Sequence, residues 1–373
     1  MYYLIKPASG ACNLRCKYCF YADEMQNRET AVRPFMSADT AHVLIEKALA
    51  RASELTGAAR EVSFGFQGGE PMLAGLDFFR DFVACVRAKN TAGVPVSWFL
   101  QTNGTLLTRE WAAFFRENGF LVGLSMDGVP ELHNKNRVDP QGKGTQAQVL
   151  RAAELLKKTG VEFNILTVLT GELARSAKKV YSYYQKQGFV WQQYIPCLSP
   201  LDAADTRWSL TAERYGEFLC NLFDLWFDDV THERLTFNRE FENWVGILAG
   251  RAPEECGMAG VCSPQYLIEA DGSVYPCDFY ALDEYLLGNI CADTLAQLDE
   301  KRTEIGFIEA SLAIPEECRR CKWYALCRGG CRRNRDAGGK NRFCAAYRKF
   351  FAYAYPRMQK LADMIVRKEQ FGR

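Results

Sequence analysis

The sequence predicts an α/β fold with a parallel sheet, followed by a smaller cysteine-rich domain. Over residues 1–235 short β-rich runs alternate with longer amphipathic runs, whereas beyond residue 236 the helical periodicity weakens and cysteines accumulate. Such alternation requires right-handed crossovers between parallel strands. The first part is therefore an α/β barrel or an open doubly wound sheet, and a chain of 373 residues has room for two domains.

Strand and helix periodicities place the elements of the first part in order. Runs rich in β-branched and aromatic residues predict strands at 2–6, 62–66, 96–101, 121–125, 163–168 and 191–195. Apolar residues spaced by three and four predict helices at 37–56, 76–90, 108–118, 146–159 and 173–187. Ser37 and Thr108 precede two of these helices and are expected to cap them. Six such units are too few for a closed eight-stranded barrel.

Composition excludes several classes of partner. The chain has 46 Lys and Arg against 45 Asp and Glu, so its net charge gives no reason to expect binding to nucleic acid or to an anionic membrane. The first residues do not resemble a signal peptide, and no apolar run approaches the ~18 residues that cross a bilayer. Fifteen cysteines without a secretion signal indicate metal ligation in a reducing cytoplasm. We expect a cytoplasmic monomer.

Three cysteines form a C-x3-C-x2-C loop directly after the first predicted strand: Cys12, Cys16 and Cys19. Four thiolates normally hold a [4Fe-4S] cluster. With three, one iron stays open, and an open metal position is where ligands bind and chemistry occurs. A zinc site completed elsewhere is the alternative; the aromatic residues Tyr18 and Phe20 beside the triplet favour the cluster.

Further candidate residues follow the predicted strands, where ligand groups gather in parallel α/β folds. Residues 67–71 read Gln-Gly-Gly-Glu-Pro; the glycines let backbone approach a ligand, and Glu70 can pair with an ammonium group. The Asn-Gly at 103–104 and the Asp-Gly at 127–128 are also ordinary turn formers. Ser125 can reach a ribose or carboxylate, and Arg137 supplies a cation for a carboxylate.

The last third carries eight more cysteines in two groups. The sequence order is Cys256, Cys262, Cys277, then Cys318, Cys321, Cys327, Cys331 and Cys344. Eight thiolates suffice for two fully ligated [4Fe-4S] clusters, and two structural zinc ions are the alternative. Spacing does not decide which thiolates share a cluster. Four other cysteines are expected to be inert packing residues: Cys85, Cys197, Cys220 and Cys291.

These motifs resemble a known family. The loop 12–19 resembles the signature of the radical S-adenosylmethionine (SAM) enzymes, in which methionine's amine and carboxylate chelate the open iron; residues 318–331 resemble the SPASM auxiliary-cluster domain. Matching motifs run nearly end to end and are similar to those of the anaerobic sulfatase-maturating enzymes, which oxidise a sulfatase Cys or Ser to Cα-formylglycine. The resemblance implies a partial (β/α)6 TIM-like barrel at 1–235 and a SPASM domain at 236–373.

The resemblance also implies cofactors and residue roles. Three [4Fe-4S] clusters and SAM are expected, with one auxiliary cluster on Cys256, Cys262, Cys277 and Cys331 and the other on Cys318, Cys321, Cys327 and Cys344. The implied SAM contacts are Tyr18, Gly69, Glu70, Ser125, Arg137 and the backbone of Leu198. Tyr21 and Gln67 are expected beside the substrate.

Asp278 follows the third auxiliary ligand and is the implied catalytic base. Oxidising a thiol or alcohol at its β-carbon removes one hydrogen atom, one proton and one electron. A 5′-deoxyadenosyl radical takes the hydrogen atom, and a carboxylate beside a cluster ligand can take the proton while the cluster takes the electron. An aspartate after Pro276 could equally cap a turn.

The implied partners are a peptide-like sulfatase segment, Cys/Ser-x-Pro/Ala-x-Arg, and reduced ferredoxin or flavodoxin as electron donor. One alternative is a SPASM maturase that forms a thioether or carbon–carbon crosslink in a ribosomal peptide. Such enzymes often carry an N-terminal peptide-recognition domain, for which cysteines starting at residue 12 leave no room. The other alternative, a non-catalytic iron-sulfur or zinc module, predicts neither an open iron nor a SAM site.

Overall fold

The structure is a computed structural model and describes residues 1–31, 33–201 and 208–371. The strands are β1 Tyr2–Lys6, β2 Val62–Phe66, β3 Val96–Thr102, β4 Phe120–Ser125, β5 Phe163–Leu169, β6 Trp191–Pro196, β7 Phe237–Asn238, β8 Tyr266–Glu269, β9 Ser273–Tyr275 and β10 Gly288–Asn289. The helices are α1 Phe20–Gln26, α2 Ala38–Ser53, α3 Leu76–Lys89, α4 Arg109–Asn118, α5 Pro130–Asn136, α6 Gln146–Thr159, α7 Ala177–Gln187, α8 Ala212–Thr231, α9 Arg239–Leu248, α10 Cys256–Ala259, α11 Leu295–Glu304, α12 Glu316–Arg319, α13 Tyr324–Cys327 and α14 Cys344–Phe371. Within the described ranges, no helix is both long and apolar enough to cross a membrane.

The ten strands form one open sheet in the order β10-β9-β8-β1-β2-β3-β4-β5-β6-β7. From β1 to β7 each strand lies parallel to the next in sequence order. A doubly wound sheet instead reverses its strand order at a switch point, so the sequential order selects the barrel alternative. The sheet does not close, and the predicted partial barrel is confirmed.

Strand β1 lies between the two parts of the chain. It pairs in parallel with β2 on one side and with β8 on the other; β9 then pairs antiparallel with β8, and β10 antiparallel with β9. The cysteine-rich part therefore extends the barrel sheet. This arrangement places the carboxyl end of β1 beside that of β8.

Local sequence signals locate the barrel elements well. Each of the six predicted strands is present, with ends that agree within one residue. The expected N-caps form, since the hydroxyl of Ser37 accepts a hydrogen bond from the backbone N–H of Thr40 (3.0 Å) and that of Thr108 from Trp111 (3.4 Å). The helix predicted at 37–56 ends earlier, at Ser53.

The prediction that helical structure weakens beyond residue 236 is wrong. The chain ends in α14, a helix of 28 residues that contains Pro356. Proline in a helix interior removes a backbone hydrogen bond and usually ends the helix. Pro356 is exposed, however, and the hydrogen bonds on the solvent side of a helix lengthen most easily. Tertiary packing keeps α14 continuous through this position.

Aromatic packing attaches α14 to the last helices of the barrel. The ring of Phe350 lies 5.6 Å from those of Phe223 in α8 and Phe241 in α9, and 5.0 Å from Trp244 (centroid distances). Phe350, Phe223 and Phe241 are fully buried. This cluster fixes Cys344, the first residue of α14, relative to the barrel.

Truncation of this cluster tests its contribution to stability. Phe350→Ala should lower the free energy of unfolding by about 3–5 kcal/mol, because it removes a buried ring and leaves a cavity. Guanidinium unfolding of the anaerobically reconstituted protein measures the change. Met364→Ala is the control, since Met364 lies in the same helix at 49% exposure and should change stability by about 0.5 kcal/mol or less. Equal effects of the two substitutions would contradict the packing described.

Candidate active site

The three cysteines of the first motif lie on the loop between β1 and α1. Their thiols are close enough to interact electrostatically, and burial raises the pKa of Cys12 to about 11 and that of Cys16 to about 12. The loop is fixed to the segment after α5, because the N–H of Arg15 donates to the carbonyl of Val138 (2.7 Å). Buried thiols ionise when they bind a metal. Three neighbouring thiols of this kind fit a cluster that keeps one iron open.

The Gly-Gly turn after β2 packs directly against this cysteine loop. The N–H groups of Gly69 and Glu70 donate to the carbonyls of Ser9 and Ala11, both at 2.8 Å. A Cβ on Gly69 would lie 2.1 Å from the carbonyl oxygen of Ala11, and Gly68 has a φ of +120°. Glycine is required here because two backbones approach closely.

The carboxylate of Glu70 is fully enclosed by the protein. One oxygen accepts hydrogen bonds from the N–H of Met72 (3.1 Å) and the hydroxyl of Thr102 (2.8 Å), and the other accepts from the N–H of Asn103 (2.8 Å). Burial raises the pKa of Glu70 to about 7, although these hydrogen bonds oppose the shift. Glu70 thus joins the carboxyl ends of β2 and β3. Its direct contact with the SAM amine stays a prediction.

Tyr18 and Arg137 meet at Asp127, which follows β4. The hydroxyl of Tyr18 donates to Oδ2 of Asp127, and Nε of Arg137 lies 3.1 Å from the same oxygen. Oδ1 of Asp127 accepts from the N–H of Val168 (3.0 Å). All three side chains are buried. Asp127 is predicted from the sequence only as part of an Asp-Gly turn, although its position directly after a predicted strand is a signal for a further role.

The two remaining predicted SAM contacts also lie at the carboxyl ends of strands. Ser125 is buried at the end of β4, and Leu198 follows β6. The guanidinium of Arg342, just before α14, donates to the carbonyl of Cys197 (2.7 Å) and to the hydroxyl of Ser199. The cysteine-rich part therefore holds the loop that carries Leu198.

Asp278, the implied catalytic base, lies beside the carboxyl end of β1, where it pairs with a residue that the sequence patterns did not single out. Nζ of Lys6, the last residue of β1, lies 2.7 Å from Oδ1 of Asp278, and the amide of Gln67 donates to Oδ2 (2.5 Å). The Lys6 side chain is fully buried, and that of Asp278 is 14% exposed. Asp278 is therefore held at both oxygens.

Lys6 remains charged despite its burial. Burial alone would lower its pKa, but the negative charges of Asp278 and Glu269 outweigh this effect and the pKa of Lys6 is raised above its ordinary value. The ammonium also lies over the ring of Tyr21, 3.2 Å from the centroid. A cation at this distance from an aromatic face is stabilised by the ring quadrupole.

A second buried network lies beside this pair and is centred on Glu269. Its carboxylate accepts hydrogen bonds from Arg28 (2.8 Å), Ser9 (2.9 Å) and the hydroxyl of Tyr21. Burial opposes its ionisation, but Lys6 and Arg28 lower the pKa of Glu269 below its ordinary value. Glu269 ends β8, so this network also joins the barrel to the cysteine-rich part.

The eight auxiliary thiols form two spatial groups. Electrostatic interactions connect Cys256, Cys262, Cys277 and Cys331 with one another, and separately Cys318, Cys321, Cys327 and Cys344. Burial raises the pKa of Cys327 and of Cys331 to about 11. These groups match the pairing implied by the sequence resemblance. In the described part of the chain, no three His, Cys, Asp or Glu side chains are placed to hold a single metal ion.

The other four cysteines differ from one another in exposure. Cys85 and Cys197 are buried and Cys220 is half-buried, in agreement with a packing role, whereas Cys291 is exposed. The expectation of a packing role is wrong for Cys291, because its side chain is exposed. Cys291 lies in a turn, where its backbone N–H donates to the side chain of Asn289.

Comparison with known proteins identifies the family. The model of the radical SAM superfamily matches residues 7–183, and that of an iron-sulfur cluster-binding domain, SPASM, matches residues 256–322. The chain is 45% identical over 370 residues to a cysteine-type anaerobic sulfatase-maturating enzyme of Clostridium perfringens, covering 97% of this chain and 98% of that protein. It is 32% identical over 351 residues to a serine-type enzyme of Klebsiella aerogenes, covering 94% and 84%.

A solved structure agrees with this assignment. Native anSMEcpe with bound AdoMet and Cp18Cys peptide matches with a TM-score of 0.90 and 44% identity, covering 98% of this chain and 99% of that chain. The chain therefore belongs to the anaerobic sulfatase-maturating enzymes, within the radical SAM superfamily.

Proposed function

We propose that this chain oxidises the active-site cysteine of a sulfatase to Cα-formylglycine. The observation that carries the proposal is the position of Asp278: it directly follows a thiol of one auxiliary group, and Lys6 and Gln67 hold it at the mouth of the barrel. Cysteine is preferred to serine as the client residue, since identity to the cysteine-type enzymes reaches 45% against 32% for the serine-type enzyme of Klebsiella aerogenes.

The eleven thiols fit three clusters, one with three ligands and two with four each. With SAM, the clusters supply a hydrogen-atom acceptor and a one-electron acceptor. Proton transfer and the positioning of SAM depend on the chain's own residues. Asp278 accepts the thiol proton at a carboxylate oxygen, and Lys6 balances the charge of Asp278 and fixes its orientation. The proposed SAM site consists of Tyr18, Gly69, Glu70, Ser125, Arg137 and Leu198. Asp127 contacts both Tyr18 and Arg137 and so holds them in place.

The client is proposed to enter as an extended segment with the pattern Cys/Ser-x-Pro/Ala-x-Arg, beside Tyr21 and Gln67. Support comes from the matched structure, which contains a bound peptide. Reduced ferredoxin or flavodoxin is the proposed electron donor. We further propose that the enzyme acts as a cytoplasmic monomer.

Iron content tests the assignment of the thiols. Three clusters correspond to about twelve irons per chain after anaerobic reconstitution. Replacing Cys12, Cys16 and Cys19 by Ala should remove about a third of this iron and abolish SAM cleavage. The matched control replaces Cys85, Cys220 and Cys291 and should keep all of it. An iron content near four, or zinc in place of iron, would contradict three clusters.

Asp278→Asn tests the proton acceptor. The substitution keeps the shape of the side chain and removes its basicity, so formylglycine formation should fall by about 10²–10⁴-fold, as measured by mass spectrometry on a Cys-x-Pro-x-Arg peptide. SAM cleavage to 5′-deoxyadenosine and iron content should persist. Asp283→Asn is the control, an exposed carboxylate nearby. A parent rate of aldehyde formation in Asp278→Asn would place the base elsewhere.

Glu70→Gln separates two roles of Glu70. The carboxylate of Glu70 accepts hydrogen bonds from two backbone N–H groups, and the NH₂ group of a glutamine could not accept them. If Glu70 acts by joining β2 to β3, the substitution should lower the free energy of unfolding by about 1–3 kcal/mol and also weaken SAM binding. Direct contact with the SAM amine predicts weaker binding, by roughly ten- to more than a hundredfold, at unchanged stability. Thermal unfolding and SAM titration of the same samples distinguish them, with exposed Glu110→Gln as control. Unchanged affinity and stability would exclude both roles.

A further inference from the structure

The second group of auxiliary thiols lies near the protein surface beside a set of exposed cations. Cys318 and Cys321 are only partly buried. A surface cavity of about 290 Å³ adjoins Cys321, and its other lining residues are Trp323, Glu317 and three cations, Arg320, Lys322 and Arg348. These three cations, which we name the auxiliary face, are all exposed. A redox-active group at Cys318 and Cys321 would thus be reached from solvent through a basic surface.

The auxiliary face is part of a strongly basic segment in an otherwise balanced chain. Residues 316–349 contain eleven Lys and Arg against three Asp and Glu, whereas the whole chain has a net charge of +1. Some of these cations are neutralised locally, such as Arg320 by Glu316 (2.9 Å) and Lys340 by Glu317 (2.8 Å). For Lys322 and Arg348 no ion pair is found among the described residues. Lys322 and Arg348 therefore leave a net positive charge at the cavity.

Aromatic side chains lie between this surface and the interior. Nζ of Lys322 lies 4.8 Å from the ring centroid of Trp323, and the Trp323 ring packs against Phe351 (6.0 Å) and Tyr355 (5.5 Å). Lys322 is thus held against a packed group of aromatic rings. A rigid charged surface favours docking of a partner with complementary charge.

The proposed function requires an electron to enter and an electron to leave in each turnover. One electron is consumed when SAM is cleaved. The client then loses a hydrogen atom from Cβ and the thiol proton to Asp278, and a carbon–sulfur double bond forms. One electron is left over, and clusters held by the eight auxiliary thiols would accept it. That electron must be removed before the next cycle. Exchange with a one-electron carrier balances both transfers.

We propose that the auxiliary face is the docking site of an acidic one-electron carrier protein. The inference rests on the proposed function and adds to it the place where the electron crosses the surface. The carrier's negative surface meets Arg320, Lys322 and Arg348, and its redox group comes to lie over Cys318 and Cys321. Electrostatic steering of this kind raises association rates by about 10–10³-fold at low salt.

The test compares two charge-reversal triples in the reconstituted holoenzyme. The first is Arg320→Glu with Lys322→Glu and Arg348→Glu. The matched control reverses three exposed cations on the outer helices of the barrel, Arg151, Lys158 and Lys178. Two readouts are used: oxidation of reduced acidic flavodoxin by the enzyme and SAM, followed by absorbance, and formylglycine formation with dithionite as the reductant.

We expect the first triple to slow flavodoxin oxidation at least tenfold and to weaken its salt dependence, with iron content and the dithionite-driven rate unchanged. The control should match the parent in both readouts. An unchanged flavodoxin rate, equal slowing in the control, or an equal loss of the dithionite-driven rate would overturn the docking site. Failure of the parent itself to form formylglycine would overturn the proposed function, while flavodoxin oxidation still tests the docking site.

Discussion

The ion pair between Lys6 and Asp278 is the interaction on which the active site depends. Transfer of an ammonium group into the interior costs several kcal/mol unless a partner compensates it, and the Lys6 side chain is fully buried. Its partners are Asp278 at 2.7 Å and the face of the Tyr21 ring. Asp278 therefore also serves as a counterion of the buried Lys6, beside its proposed catalytic role.

Sheet topology explains why this pair can form. Strand β1 pairs with β2 of the barrel and with β8 of the cysteine-rich part, so residues at its carboxyl end face both. Lys6 ends β1 and is followed by the loop with the three cysteines. Glu269 ends β8 and binds Arg28 and Tyr21 beyond that loop. One strand thus sets the distance between the thiols of the first motif and the carboxylate next to Cys277.

Much of this arrangement follows from local sequence. The barrel strands and the cysteine motifs are predicted because each is encoded by periodicity or by spacing within a few residues, whereas Asp278 is singled out by the family resemblance. Lys6, Asp127 and the enclosure of Glu70 are not predicted, because their partners lie far away in the sequence: Lys6 and Asp278 are brought together only by the pairing of β1 with β8. The helix α14 escaped prediction for a related reason, since burial of Phe350 against α8 and α9 outweighs the local effect of Pro356.

A double-mutant cycle on the Lys6–Asp278 pair tests most directly whether this ion pair organises the proton acceptor. Formylglycine formation is measured for Lys6→Met, Asp278→Asn and the double variant, each normalised to its iron content. If Lys6 acts through Asp278, the double variant is as slow as Asp278→Asn alone, because the group that Lys6 orients is no longer a base. If the two losses multiply, Lys6 and Asp278 act independently, and Lys6 does not act by orienting Asp278.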